Sequence, residues 1–255
     1  MRVAFLIPVL LFVFIISGFP DAGGIVGFEE KPGGYIPLDL PFVSETGKAV
    51  KLGDVVKGPT VLTLVYYRCP NACDNLLIGL AAALRPFALK PETVPNLVTI
   101  SFDDRETPAD SLKQKNIAYE AIEAPYPVEK WHFLTGGSDS IKKITDAAGF
   151  RYARAGNEFN HPVGCIILSP DGKIVRYIIG AEILPMDLKV SLMEASSGTV
   201  SPTIARVIRF CFSYDPASHA YVFNILRVSA TVIFGIIGVF VIYLVLSGRK
   251  RRAGQ

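Results

Sequence analysis

The stretch PTVLTLVYYRCPNACDNLLIGLAAALRPF, residues 59–87, changes character twice along its length. Val61 to Tyr67 is an unbroken β-branched and aromatic run, the pattern of a strand buried on both faces. Asp74 to Phe87 carries Leu76, Leu77, Leu80, Ala81 and Leu84 at helical spacing, with Pro86 as the expected end. Between them lie Cys69 and Cys73. A strand feeding a helix through a loop with two thiols leaves three readings open: a disulfide couple, a metal site, or two buried small residues.

Outward from this stretch, Asn96 to Phe102 predicts a second strand, and Thr107-Pro108 opens a helix that runs to Tyr119. Strand, helix and strand in this order form the βαβ unit of a parallel sheet with a right-handed crossover. Ser138 to Ala148 predicts a third helix, stopped by Gly149. Val163 to Leu168 and Lys173 to Ile179 are joined by Ser169-Pro170-Asp171-Gly172, which predicts a hairpin as the last soluble element. Residues 21–59, rich in Gly and Pro, read as an irregular lead-in. The expected fold is α/β: a thioredoxin-like domain with a central mixed sheet over residues 21–194, plus a C-terminal transmembrane helix.

Of the 255 residues, 50% are hydrophobic, and the excess sits at the two ends. Residues 1–20 read as a signal peptide or N-terminal anchor: Met1-Arg2, an apolar stretch from Val3 to Ile16, then Ser17-Gly18-Phe19-Pro20. After a linker with a short amphipathic piece over residues 195–224, residues 225–246 are apolar enough, and long enough, to span a bilayer. The tail, residues 247–255, contains Arg249-Lys250-Arg251-Arg252, which the positive-inside rule keeps in the cytoplasm. The expected location is the cytoplasmic membrane, with the soluble domain facing the periplasm or an equivalent space. A net charge of +3 with scattered basic residues excludes nucleic acid as a partner.

In such a fold the cysteine loop emerges at the carboxyl edge of the sheet, where the free N–H groups of a helix N-terminus favour thiolate. Thiolate serves metal binding and disulfide exchange alike. Spacing says more: the redox form of this loop is usually C-x-x-C, and the additional residue here leaves room for an ion. His161, in Asn160-His161-Pro162-Val163-Gly164, enters the hairpin from a loop that this fold brings near the cysteines. Two soft sulfurs and an imidazole suit copper, the thiolates holding Cu(I) and the nitrogen making Cu(II) tolerable. Zinc uses the same set with a fourth ligand.

The segments YYRCPNACDNL, ISFDDRETPADSLKQK, WHFLTGG and NHPVGCIILSPDGKIVRYIIG together resemble the Sco/SenC family, copper proteins that help to assemble the CuA centre of cytochrome c oxidase. The resemblance covers roughly residues 35–190. It implies copper bound by Cys69, Cys73 and His161, and delivery to a CuA-bearing oxidase subunit. Other copper chaperones or thioredoxin-like reductants are further implied partners. Three departures stand out: Asp74 follows the second cysteine where the family commonly has proline, the expected anchor is C-terminal, and Cys165 has no family role. Asp74 is expected to cap the helix.

A competing reading makes the chain a thiol-disulfide oxidoreductase with Cys69 as attacking thiol and Cys73 as its partner, reducing another protein's metal-binding cysteines without metal or His161. On the copper reading the chain is a metallochaperone rather than an enzyme. A peroxide-reducing enzyme is disfavoured by the lack of a peroxidatic Thr/Pro-x-x-x-Thr/Ser-x-x-Cys arrangement. Asp103 and Asp104 end the second strand at the same sheet edge, where they either tune the site or serve the turn before Thr107. Trp131-His132 is expected to pack at a strand start, Cys165 to be a buried apolar residue, and Cys211 to be structural, with a pairing to another chain or a second, weak copper contact with His219 as the alternatives.

Overall fold

The computed structural model describes residues 26–69, 72–88, 94–156 and 158–200, and beyond them 212–215, 220–223, 236–238 and 240. The chain divides into two compact units, Met1–Val200 and Ser201–Gln255. The first unit begins with β1 (Gly27–Phe28), the hairpin β2 (Pro41–Ser44) and β3 (Ala49–Lys51), and the one-turn helix α1 (Leu52–Val55). It continues through β4 (Thr60–Val65), α2 (Ala72–Ala88), β5 (Asn96–Ser101), α3 (Pro108–Ile122) and β6 (Trp131–Thr135). It ends with α4 (Ser138–Ala147), β7 (Phe150–Arg151), β8 (Ala153–Ala155), β9 (Glu158–Asn160), β10 (Gly164–Leu168), β11 (Ile174–Ile179) and α5 (Pro185–Ser197).

Seven strands form one mixed sheet in the order β11-β10-β4-β5-β6-β2-β3. β4, β5 and β6 run parallel, and the flanking strands are antiparallel. Every residue of β4, β5 and β10 is buried, as expected for strands covered on both faces. The buried side chains include Leu62, Leu80, Leu84, Leu97, Ile100, Trp131 and Phe133. The polar groups inside are paired: Thr63 and Thr99 share a hydroxyl hydrogen bond of 2.8 Å, and Trp131 Nε1–H donates to Thr99 Oγ1 at 2.9 Å. α3 opens with a capping box, Thr107 Oγ1 accepting from the Asp110 N–H while the Asp110 carboxylate accepts from the Thr107 N–H.

The βαβ unit, the third helix and the hairpin stand where the sequence places them, and the mixed α/β sheet is that of a thioredoxin-like domain. Other expectations need correction. The lead-in is not irregular throughout, because β2 pairs with β6 and extends the sheet. Short strands interrupted by turns give too few alternating positions to be legible. α2 runs two residues past Pro86, which removes one hydrogen bond only in the last turn. The hairpin is not the last soluble element, since α5 follows it and runs into the span taken as a linker. That span also holds a second hairpin in the second unit, β12 (Phe212–Asp215) with β13 (Ala220–Phe223).

The expected leader (1–20), the basic tail (247–255), Cys211 and His219 lie outside the described residues, as does most of segment 225–246, of which 236–238 and 240 are helical. Among the described residues, no helix is long and apolar enough to cross a membrane.

Candidate metal centre

β4 delivers Cys69 just beyond the carboxyl edge of the parallel strands, and Cys73 follows in the first turn of α2. Cys69 itself precedes the helix, so the two thiols do not share a helical face. The sheet register explains why His161 joins them. Cys165 of β10 lies opposite Thr63 in antiparallel register, so stepping back from Cys165 to His161 moves forward along β4 past its end toward the cysteine loop. Gly164 makes the turn into β10 at φ +155°, with no room for a Cβ against the Ile178 carbonyl.

The ligand atoms of Cys69, Cys73 and His161 all lie within 4.8 Å of one another. Cys73 Sγ stands 3.6 Å from His161 Nε2, and the Cys73 N–H donates to Cys69 Sγ at 3.5 Å. His161 Nδ1 is 2.9 Å from the Pro162 carbonyl, which only accepts, so Nδ1 carries the proton and Nε2 presents its lone pair to the sulfurs. A soft ion bound to one thiolate and one imidazole separates those two donor atoms by about 3.8 Å, given ordinary metal–sulfur and metal–nitrogen bonds. The 3.6 Å gap therefore already fits such an ion.

An aromatic wall fixes the imidazole. Tyr66 meets His161 edge-on at 5.6 Å between ring centroids, Phe102 lies at 5.4 Å, and Phe150 stacks at 6.4 Å. Phe159, two residues before His161, packs on Tyr66 and Phe102 at 5.2 and 5.4 Å. Tyr66 also hydrogen-bonds the Cys69 sulfur, and burial together with that bond raises its phenol above the usual range.

The loop is clamped from both flanks, by Glu106 from the segment between β5 and α3 and by Gln114 of α3. The Glu106 side chain is fully buried, and its two oxygens accept from the backbone N–H groups of Tyr67 and Arg68, each at 2.7 Å. Ser101 Oγ–H adds a third donor at 2.5 Å. Burial raises the Glu106 carboxyl above its ordinary value in spite of these donors. On the other flank, Gln114 Nε2–H donates to Asp74 Oδ1 at 2.6 Å. Asp74 is thus a first-turn residue of α2 bound by α3, rather than the cap itself; its charge still favours the helix N-terminus.

The expectation of a standing thiolate at the helix N-terminus is not met at Cys73. Cys73 is 1% exposed, and burial, followed by its hydrogen bond to Cys69, pushes its thiol far above the ordinary range. A metal entering the site must displace that proton. Neither expected aspartate reaches the thiols: Asp103 is held by Arg105 through two bonds of 2.7 and 2.6 Å, and Asp104 is exposed. Cys165 is fully buried in β10, its thiol pushed up to about 12 by burial alone, and His132 is a half-buried strand residue. Sequence reasoning missed Glu106, Gln114 and the aromatic wall. Only Tyr66, beside the loop, carried a visible signal.

A thioredoxin-like domain that gathers two loop thiols and an opposing imidazole belongs to the class of thiol-based soft-metal proteins. More specifically, the family model SCO1/SenC matches residues 35–188, and the chain belongs to that family. A structure from Aquifex aeolicus VF5, described as an electron transfer protein, is similar at 26% identity over 66% of this chain and 96% of that chain, with a TM-score of 0.58. A SCO1/SenC family lipoprotein from Bacillus anthracis shares the fold at 18% identity, covering 65% of this chain and 98% of that one, with a TM-score of 0.54. So does Arabidopsis thaliana ScoI, solved with copper bound, at 20% identity, 61% and 96% coverage and a TM-score of 0.52. No curated protein matches the chain.

Proposed function

We propose that this chain is a membrane-anchored copper-binding protein that delivers copper to the CuA-type centre of a terminal respiratory oxidase. The observation that carries the reading is the convergence of Cys69, Cys73 and His161 within 4.8 Å, on a chain of the SCO1/SenC family. The copper-bound Arabidopsis relative supports the choice of metal. The apolar segment 225–246 and the basic tail support an anchor, with the copper domain on the extracytoplasmic side.

Copper is the cargo. Cys69 and Cys73 each give up a proton as their thiolates take Cu(I), and His161 Nε2 supplies the nitrogen that a cupric ion requires. The Nδ1–H bond to Pro162 selects the tautomer whose Nε2 lone pair faces the sulfurs. Transfer is ligand exchange: a partner's cysteine thiolate bonds to copper as one thiolate here leaves and regains a proton, with no change in oxidation state.

Copper titration of the purified chain under reducing and oxidising conditions, with Cys69→Ser, Cys73→Ser and His161→Ala alongside, tests the proposal. One equivalent bound by the wild type and lost on either cysteine change is expected. A chain that binds no copper yet reduces disulfides at rates unchanged by His161→Ala would establish the other reading.

A further inference from the structure

At the edge of the sheet opposite the cysteines, a groove of about 730 Å³ opens between α5 and the amino ends of β4, β5 and β6. Lys57, from the turn before β4, Lys130, just before β6, and Lys189 of α5 all line it, and none of the described lining residues is acidic. Among the described residues, the lysines ion-paired to carboxylates are Lys115, Lys142 and Lys143, so these three ammonium groups are not neutralised in that way.

The groove is also apolar. α5 buries Leu188, Leu192 and Ala195 against the domain, and its outer side also exposes apolar side chains beside Asp187 and Lys189: Met186 is 65% and Met193 64% exposed, with Leu184 and Val190 exposed nearby. A helix apolar on two sides has a second surface to cover. Exposed apolar side chains rimmed by lysines that no described carboxylate pairs match the interface of a bilayer that carries anionic headgroups. In the sequence, α5 is the last described helix before the apolar segment 225–246, which the proposed function places in the membrane.

We propose that this face of α5, with Lys57, Lys130 and Lys189, docks the copper domain on an anionic membrane surface, turning the Cys69–Cys73–His161 edge away from the bilayer. The proposal rests on the membrane placement given above and not on copper itself. Orientation would then be set by the domain, with the tether providing only reach.

The test uses the full chain, reconstituted in phosphatidylcholine discs with brominated acyl chains, with or without phosphatidylglycerol. Met193→Trp places an indole on the docking face, while the native Trp131 is fully buried. Lipid quenching of the new indole should appear only when phosphatidylglycerol is present. Combining it with Lys57→Gln, Lys130→Gln and Lys189→Gln should weaken docking about a hundredfold, at about fivefold per lysine. Quenching that is absent in both discs, equal in both, or retained by the triple variant overturns the proposal. For a chain that does not enter discs, sedimentation with vesicles of the same two compositions replaces quenching: pelleting only with phosphatidylglycerol is expected, and pelleting with neither or equally with both overturns the proposal. Copper stoichiometry, which should be unchanged in the triple variant, separates this outcome from failure of the copper reading.

Discussion

Cys73 Sγ and His161 Nε2 lie 3.6 Å apart although 88 positions separate them in the chain. The antiparallel register of β10 on β4 and the packing of Phe159 together put the imidazole there. Because His161 is the one histidine of the Cys69–Cys73–His161 group among the described residues, His161→Ala should lower Cu(II) affinity by more than about 100-fold, about 3 kcal/mol. Cu(I), held by the two thiolates, should stay bound. Loss of the sulfur-to-copper absorption with retained Cu(I) binding is the expected signature. Cu(II) binding that survives unchanged would show that the nitrogen comes from elsewhere.

Tyr66 acts on the other sulfur. Its hydroxyl donates to Cys69 and so withdraws electron density from a copper-bound thiolate. Tyr66→Phe keeps the ring wall and removes only that bond. A bond of about 1 kcal/mol corresponds to about 40 mV in a one-electron couple, so the copper potential should fall by about that amount. Spectroelectrochemistry on the two proteins measures it, and an unchanged potential would mean that the bond does not act on the metal.

Glu106 is the anchor of the loop. Glu106→Ala leaves the N–H groups of Tyr67 and Arg68 without their acceptor, at a cost of about 2–4 kcal/mol in stability. Glu106→Gln keeps the shape but faces one N–H with an amide donor, and should lose about half as much. Denaturant melts with parallel copper titrations would show both losses following the same order. A copper affinity that stays at the wild-type value in Glu106→Ala would mean that the loop holds its shape unaided.

How far the sequence carries is clear from these three residues. The strand, loop and helix around Cys69 and Cys73 are local, and their patterns are strong enough to read directly. His161 was legible because the hairpin, itself marked by Pro170-Asp171-Gly172, fixes which loop precedes it. Glu106 was not, since an acidic residue before a Thr-Pro helix start has an adequate local explanation, and only tertiary packing turns it inward. The thiolate expectation failed for the same reason: the helix N-terminus is a local feature, whereas the burial that opposes it at Cys73 comes from the assembled core.

A pH dependence of stability arises away from the site, at Glu45 and Lys115. Burial alone would raise the Glu45 carboxyl, but Lys115 Nζ at 2.5 Å and the Phe133 N–H hold it below the ordinary 4.5. A carboxyl depressed in the folded state gives stability that is complete above its unfolded value and is lost as pH falls through the lower folded value. The wild type should therefore lose stability progressively below about pH 4.5. Glu45→Gln should be less stable by about 3 kcal/mol near neutrality, because it leaves Lys115 buried without its counter-charge. Its melts should also be flatter with pH in the acid range, and an acid slope equal to that of the wild type would assign the dependence to other carboxylates.

X-ray absorption at the copper edge of the loaded chain tests the central claim most directly. The account predicts two sulfur scatterers for Cu(I), and two sulfurs with one imidazole nitrogen for Cu(II), the nitrogen disappearing in His161→Ala. A first shell of nitrogen and oxygen alone would contradict it, because copper would then bind somewhere other than between Cys69, Cys73 and His161.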